Sequence, residues 1–527
     1  MKKIIAFLLA IVSMTTLTFT AAGCNKGTRA PTDTIRYIVY AGGGSLDDCD
    51  RVEATVNAVT RAKLGFGVDF EFLGYDNYAN KLGLYMDSDE DFDMCFTGTI
   101  LSGLTYSYCA SRGYFRDITD MLPEYAPELY NSMPQEVWDA ARINGKIYGV
   151  INEQIFARSV GLSIETDIAN AIGLTQEKID AENLTYRDCI RQAMEYIAAD
   201  PEISKNGVVP STTLVIGEAW SDIFMQNYAL DSLGTDTVIP GIIEAVKKEA
   251  AENEEGENAE DSDEVKVINQ YETEYFKELL EFCVEMYEKG YLTKEQASAP
   301  QTKNQRVRIT GTYKPGGEAE LYNAIGRKFT QFRFGTPLLN TYNVTTSMNA
   351  INVRSGNADK CLKFMNLMYT DKEFYNLVAI GEEGLDYDWS KDVDENGELY
   401  DYIAYTPSSK YKLNTEWSVG TEFNAYRKYL QKATVVEDTK KLNDESPRSP
   451  AYGFTYLPSS ALRTTVDTCY NIANTYIKLF LSGNYDDSKS VEQVISELNA
   501  ELRSNGLSAI LNEKQTQLNE FLKNKEK

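Results

Sequence analysis

The residue types limit the chemistry that this chain can perform. It has 527 residues and no histidine, which excludes Ser-His-Asp and Cys-His catalysis, HExxH metalloprotease sites and histidine-ligated metals. Paired carboxylates remain available for acid–base catalysis. With 79 acidic residues, however, such pairs arise by chance, and no recognisable catalytic motif accompanies them. The sequence therefore favours a binding protein over an enzyme, and we expect no cofactor.

One acidic segment has the beginning of a calcium-loop pattern. Residues 392–398 read DVDENGE and open like an EF-hand loop, but position twelve is Ile403, where the motif requires glutamate. Asn-Gly flanked by Val393 and Leu399 is typical of a β-hairpin turn. We therefore predict a hairpin here and no metal site.

A strand–helix rhythm positions the candidate binding loops. Apolar runs predict strands near residues 35–40, 68–72 and 94–96, and helical spacing predicts helices between them. This alternation predicts a parallel α/β lobe, in which ligands bind beyond the carboxyl ends of the strands. The loops 41–45, 74–77 and 97–99 should therefore share one rim. Their candidate ligand-binding residues are Gly43, Asp76 and Thr97, although each of them also suits an ordinary turn.

The first 24 residues, MKKIIAFLLAIVSMTTLTFTAAGC, have the layout of a secretory signal peptide. A cysteine after small residues resembles a bacterial lipoprotein signal, which implies cleavage after residue 23 and lipidation of Cys24. Ala21 departs from that pattern, because such signals prefer leucine three residues before the cysteine. An ordinary signal peptide and a retained membrane anchor are the alternatives. Residues 24–33 are small and polar, as a flexible linker would be.

Charge and composition restrict the partners. The formal net charge of −27 repels phosphate backbones, so we expect no nucleic-acid partner and no membrane contact beyond a lipid anchor. Seven further cysteines are scattered without a CxxC pair, which predicts small buried hydrophobes. The acidic stretch 244–266 predicts a mobile insertion. About five hundred mature residues favour two lobes.

Several motifs, taken in order, carry a family resemblance. They include DEDFDMCFTGT at 89–99, the stretch 117–154 with GKIYGV, TYKPGGEAEL at 312–321, the stretch 348–384 and TEWSVGTEF around residue 417. Together they resemble the extracellular solute-binding proteins of ATP-driven sugar importers, in the Gram-positive lipoprotein branch with a C-terminal extension. Ile151 replaces the proline that is usual at the first hinge of that family.

The resemblance implies a fold of the type II periplasmic-binding-protein kind. Two α/β lobes are joined by crossing strands, and the ligand is held in the cleft between them. Lobe one would comprise residues 34–150 and 345–408, and lobe two residues 151–344 and 409–527. Further ligand-binding candidates are Asn152 and Glu153, directly after the first hinge strand, and the aromatic residues Trp220, Tyr342 and Trp417.

The function implied by the resemblance is capture of a carbohydrate, most simply an oligosaccharide. The receptor would be a lipid-anchored monomer on the extracellular face of the cell membrane, and it would deliver its ligand to an ABC permease. Two alternatives stay open at this point. One is a surface glycan-active enzyme that uses paired carboxylates, and the other is an adhesion or scaffold lipoprotein.

Overall fold

A computed structural model describes residues 28–43, 45–88, 90–101, 103–216, 230–232, 241–244, 265–293, 304–310, 312–394 and 397–525. Strands within these ranges form four sheets. Their bounds are β1 Thr34–Ala41, β2 Gly67–Gly74, β3 Met94–Thr97, β4 Gly149–Ile151, β5 Arg158–Glu165, β6 Leu214–Val215, β7 Leu230–Ser232, β8 Gly241–Glu244, β9 Lys266–Asn269, β10 Val307–Thr310, β11 Phe329–Leu338, β12 Met348–Ile351, β13 Tyr387–Val393 and β14 Leu399–Tyr405.

Helices cover both larger sheets and form the C-terminal part of the described chain. Their bounds are α1 Cys49–Leu64, α2 Tyr75–Ser88, α3 Tyr106–Ser111, α4 Met121–Tyr125, α5 Pro127–Ser132, α6 Gln135–Ala140, α7 Thr166–Ala171, α8 Gln176–Glu182, α9 Tyr186–Ala199, α10 Glu274–Glu288, α11 Gly317–Ile325, α12 Thr341–Val344, α13 Ala358–Thr370, α14 Lys372–Ala379, α15 Val435–Glu445, α16 Arg463–Leu481, α17 Val491–Ser504 and α18 Leu507–Lys525. Short 3₁₀ turns lie at Gln270–Glu272 and Glu422–Asn424. Among the described helices there is no stretch with the length and hydropathy of a membrane span.

The first sheet has the strand order β2-β1-β3-β12-β4. Strand β1 pairs in parallel with β2 and β3, as the strand–helix rhythm predicted. Strand β12 runs antiparallel to β3 and β4, so the end of β4 and the start of β12 lie at the same edge as the carboxyl ends of β1 and β3. We call this edge the rim. The chain therefore leaves and re-enters the first lobe at the rim.

The second sheet has the order β11-β5-β10-β6, with β5 antiparallel to both of its neighbours. Helices α9, α10, α16, α17 and α18 pack with it around a second hydrophobic core, which is separate from the core of the first sheet. Helix α9 shows why: its buried residues include Cys189, Ile190, Ala193 and Ile197, which lie on one face at helical spacing. Two cores mean two lobes.

The lobe borders expected from the sequence stay a prediction. Part of the segment assigned to lobe two packs with lobe one. Tyr411, Leu413 and Val419 fall in the segment assigned to lobe two, yet they belong to the first hydrophobic core. This segment returns to the rim of the first sheet, where Leu46 bridges to Tyr411. The acidic insertion lies outside the described residues from 245 to 264.

The linker was expected to be flexible over residues 24–33, and its second half is instead docked on the first lobe. The backbone N–H of Arg29 donates to the carbonyl of Arg354 at 2.8 Å, and the Arg29 guanidinium forms an ion pair with Asp91 at 2.6 Å. A Cβ on Gly356 would lie 2.3 Å from the Arg29 carbonyl oxygen, so the segment needs glycine there. Only the residues before Arg29 remain as a candidate linker.

The hairpin expected at residues 392–398 is present, because β13 and β14 pair antiparallel with Val393 opposite Leu399. Gly397 has a φ of +82°, the left-handed conformation that Asn-Gly turns use. Hairpin geometry thus accounts for the sequence pattern that opens like a calcium loop. Among the described residues, no cluster of three or more acidic or cysteine side chains has the geometry of a metal site.

Gly98, just after β3, gives the sharpest packing constraint at the rim. A Cβ at this position would lie 1.9 Å from the carbonyl oxygen of Thr346. Because this oxygen belongs to the backbone, relieving the clash would require displacing the chain before β12. We predict that Gly98→Ala lowers the free energy of unfolding by about 2 kcal/mol or more, measured by urea denaturation.

The matched control is Gly83→Ala in α2. Its Cβ would meet only Leu104 Cδ1, at 3.6 Å, and alanine is the better helix former by about 1 kcal/mol. Equal stability of the two variants would contradict the close approach at Gly98.

Candidate functional site

The rim carries an indole over the ends of two parallel strands. The ring of Trp417 lies edge-on to Tyr40 at 5.4 Å and to Phe96 at 5.6 Å between ring centroids. Tyr40 and Ala41 are the last two residues of β1, and Phe96 is the next-to-last residue of β3. Trp417 is half-buried, so part of the indole remains accessible at the rim. A partly exposed aromatic face held by other rings is a suitable platform for the C–H face of a ligand.

Of the glycines after β1, Gly42 is the one that makes room for the indole. A Cβ there would lie 2.9 Å from Asn414 Nδ2 and 3.1 Å from Trp417 Nε1. Gly43, the predicted binding residue, is exposed, and an added Cβ would meet nothing within 4 Å. Gly43 therefore lies at the open end of the rim, and its role in binding stays a prediction.

Thr97 ends β3 and is fully buried. Its Oγ1 has no hydrogen-bond partner among the described residues. A buried hydroxyl without a partner is unusual and costs about 1–3 kcal/mol. The structure thus places Thr97 at the rim, as expected, with unused hydrogen-bonding capacity.

Asn152 differs from the expectation, because its side chain is fully used inside the protein. Its Nδ2 donates to Ser347 Oγ and to the Ser418 carbonyl, both at 2.9 Å. Its Oδ1 accepts from Asn349 Nδ2 at 2.8 Å and from the Gly420 N–H at 3.1 Å. The residue is 1% exposed. In this geometry Asn152 joins the crossing segments and leaves no group for a ligand.

Glu153 is bound to the same returning segment. Its Oε2 accepts from Thr421 Oγ1 at 3.0 Å, and its backbone N–H donates to the Gly420 carbonyl at 3.2 Å. Burial raises the pKa of Glu153 above its usual value, and the Thr421 hydroxyl offsets part of that rise. Contact of Glu153 with a ligand stays a prediction.

Tyr342 takes part in the rim through its backbone. Its carbonyl accepts from Thr99 Oγ1 at 3.0 Å and from Thr346 Oγ1 at 2.9 Å, which ties helix α12 to the loop after β3. The side chain of Tyr342 is half-buried. Asp76 lies in the first turn of α2, and its side chain is outside the described residues. Trp220 and Cys24 also lie outside them.

The sequence did not single out the partners that hold Trp417 in place. Its backbone carbonyl accepts from Ser347 Oγ at 2.7 Å and from Gln154 Nε2 at 3.0 Å. Behind them, Asn349 Oδ1 accepts from Tyr37 Oη at 2.6 Å. An asparagine inside the apolar strand MNAI was the available signal, since a buried amide needs partners.

Comparisons with known proteins agree over nearly the whole chain. A carbohydrate ABC transporter substrate-binding protein of Streptococcus pneumoniae is 24% identical over 500 residues, which is 92% of this chain and 91% of that protein. The crystal structure of the N-glycan transport solute-binding protein NgtS from the same species superposes with a TM-score of 0.71 at 21% identity, covering 93% of this chain and 99% of that one.

The fold is that of the two-lobed solute-binding proteins.

More distant solute-binding folds support this assignment, and the alginate-binding protein AlgQ2 superposes with a TM-score of 0.54 at 14% identity over 92% of this chain and 98% of its own. Residues 450–523, which include α16, α17 and most of α18, match a domain of unknown function, DUF3502. The resemblance read from the sequence motifs is confirmed. In open α/β sheets, ligands bind beyond the carboxyl ends of the strands, and the rim is that edge of the first sheet.

The Asn152 network generates a stability prediction. In Asn152→Ala, four buried hydrogen bonds are lost, and the Gly420 N–H loses its side-chain acceptor, so we expect the free energy of unfolding to fall by about 2–4 kcal/mol, measured by urea denaturation. The control is Asn519→Ala on the exposed face of α18, where we expect a change within about 0.5 kcal/mol. If Asn152→Ala weakened ligand binding at unchanged stability, Asn152 would be a ligand contact instead.

Proposed function

We propose that this protein captures a carbohydrate in the cleft between its lobes and delivers it to an ABC permease. The structural observation that carries the proposal is the half-buried indole of Trp417, held by Tyr40 and Phe96 at the rim. The relatives support the ligand class: NgtS is an N-glycan transport protein whose structures include complexes with Man1GlcNAc and Man5GlcNAc. The ligand is an oligosaccharide, and the protein is not an enzyme.

Sugar binding needs both apolar and polar groups, and the rim has both. Trp417 offers an aromatic face for the C–H groups of a pyranose ring. The polar part is the half-buried Glu153, whose carboxylate lies on the crossing segment, whereas the Thr97 hydroxyl is buried beneath this surface. Ligand contacts that exist only when the lobes are closed would drive closure, since a ligand that binds both states equally shifts nothing.

The test is a binding screen with mannose-containing N-glycan fragments as the first probes. A bound glycan should raise the melting temperature, and calorimetry should give its Kd. We predict that Trp417→Ala weakens that affinity at least about tenfold, because the stacking platform is lost.

The matched control is Trp389→Ala. Trp389 lies on β13, 43% exposed, and packs on Tyr426, away from Trp417, so glycan affinity should stay unchanged. Full affinity in Trp417→Ala would overturn the assignment of the platform. Release of shortened glycan products from bound ligand would overturn the receptor function in favour of an enzyme.

We further propose that the mature receptor is a monomer anchored by lipid at Cys24 on the extracellular face of the membrane. The signal-like sequence before Cys24 supports this, and the docking of Arg29 shows that the folded lobe begins five residues later. Growth with labelled palmitate should label the wild-type protein, and Cys24→Ser should lose both the label and the membrane fraction. A mature N-terminus at another residue would contradict the anchor.

A further inference from the structure

Three segments of the chain cross between the lobes, and the two hydrophobic cores show where each segment changes sides. The first change lies at 157–160, where the chain leaves the first core and enters the second. The second lies at 334–339, where it returns to the first core. The third lies at 451–454, where neighbouring residues pack in different cores. The lobes are therefore joined at three places, and contacts among these segments control how the lobes can move.

The first crossing segment lies between β4 and β5, and the side chain of Asn443 binds its backbone. The Oδ1 atom of Asn443 accepts from the N–H groups of Phe156 at 2.8 Å and Ala157 at 3.0 Å. The Nδ2 atom donates to the carbonyl of Gln154 at 2.8 Å. Asn443 is half-buried near the end of α15, 287 residues after Phe156. One amide group thus provides partners that a neighbouring strand would otherwise supply to these three backbone groups.

The chain after α15 pairs with the second crossing segment. The N–H of Leu339 donates to the Pro447 carbonyl at 2.9 Å, and the N–H of Ser449 donates to the Leu339 carbonyl at 2.8 Å. Arg448 therefore lies opposite Leu339 in a parallel bridge. Asn443 joins the first segment to this pair, so all three segments form one unit. We call this unit the crossing cluster; it consists of residues 154–157, 339 and 443–449.

The crossing cluster packs with lobe one. Phe156, Ala157 and Leu339 are buried in the first hydrophobic core. On the third segment, Arg448 Nη2 donates to Glu136 Oε1 at 2.7 Å, and Glu136 is in α6, a helix whose buried side chains belong to the same core. A unit held in this way moves with lobe one. A bend between the lobes must then occur on the side of the cluster that faces lobe two.

Strand β11 has an irregularity at this side of the cluster. Its pairing with β5 is regular from Phe329 to Phe334 and resumes only at Leu338. Between them, Gly335 has a φ of +74°, the left-handed conformation that suits glycine. Residues 335 and 336 are also exposed. An interruption of this kind breaks the hydrogen-bond ladder and lets a strand bend, so β11 is weakest just before it enters the crossing cluster.

We propose that Asn443 is a positioning residue for lobe closure. It keeps the three crossing segments together as one unit of lobe one, and the lobes bend beside that unit, where the pairing of residues 335–338 is interrupted. Hinge motion is absorbed by a few residues with large backbone changes, and confining it to one short stretch brings the lobes together along the same path each time. The importance of this motion for capture rests on the function proposed above, whereas the contacts that hold the cluster do not.

Hydrogen–deuterium exchange of the mature protein without ligand, followed by mass spectrometry, tests the unit directly. In Asn443→Ala, the N–H groups of Phe156 and Ala157 lose their acceptor and should exchange at least about tenfold faster. The N–H groups of Leu339 and Ser449 do not contact Asn443, yet they should also exchange at least about tenfold faster, because the cluster comes apart. Faster exchange at Phe156 and Ala157 alone would overturn the proposal. Equal acceleration in β1 would also overturn it, since that result indicates general unfolding.

Two further variants separate the side-chain contact from a general loss of stability. Asn443→Asp retains an oxygen that accepts from both N–H groups and loses only the bond to the Gln154 carbonyl. Exchange at Leu339 and Ser449 should therefore be at least about threefold slower than in Asn443→Ala. The matched control is Asp444→Ala on the exposed side of α15, which should exchange like wild type throughout. Equal exchange in Asn443→Asp and Asn443→Ala would contradict the role of the amide oxygen.

The bend and its use in capture have separate tests. In the wild-type protein, the N–H groups of residues 335 and 336 should exchange at least about a hundredfold faster than that of Leu339, and equal rates would contradict a bend at this place. For a glycan found in the screen above, Asn443→Ala should raise the dissociation rate at least about threefold, and an unchanged rate would overturn the role in closure. If no glycan binds, the proposed function fails, while the exchange measurements still decide whether Asn443 holds the cluster.

Discussion

The side-chain amide of Asn152 joins three parts of the chain that are far apart in sequence. It connects the end of β4 with the start of β12 and with Ser418–Gly420. All three segments must be in place before the four hydrogen bonds exist, and a partly satisfied buried amide is worse than none. Because Trp417 immediately precedes Ser418, this network also fixes the position of the indole relative to the ends of β1 and β3. The binding surface and the lobe crossing are therefore a single structural unit.

Much of the first lobe could be predicted from local pattern. Alternation and helical spacing gave β1, α1, β2, α2 and β3, since apolar residues recur with the period of the element that buries them. The same reasoning gave the hairpin of β13 and β14. The register between β12 and β3 was not accessible, because it depends on pairing across roughly 250 residues of chain. Local sequence contains no record of such pairing.

The candidate site shows where residue type alone reaches its limit. A triple glycine marks a turn, but only the packed structure shows that Gly42 borders the indole and Gly43 does not. The side chain of Asn152 offers two donors and an acceptor, so its residue type suits contact with a ligand as well as contact with other parts of the protein. Its four protein partners decide the matter, and all four, at 347, 349, 418 and 420, lie about 200 residues or more away. The unpartnered hydroxyl of Thr97 likewise becomes apparent only when its burial is known.

The docked segment at Arg29 has a consequence for how the receptor is presented. It binds beside Arg354 and Asp91, at the sheet edge opposite the rim, and β1 runs from one edge to the other. Eight residues of strand span about 26 Å. A molecule tethered through its amino terminus would therefore hold its rim about 26 Å above the place where the tether joins the first lobe. Short tethers of this kind confine a binding module to a thin layer and raise its effective concentration for partners at the same surface.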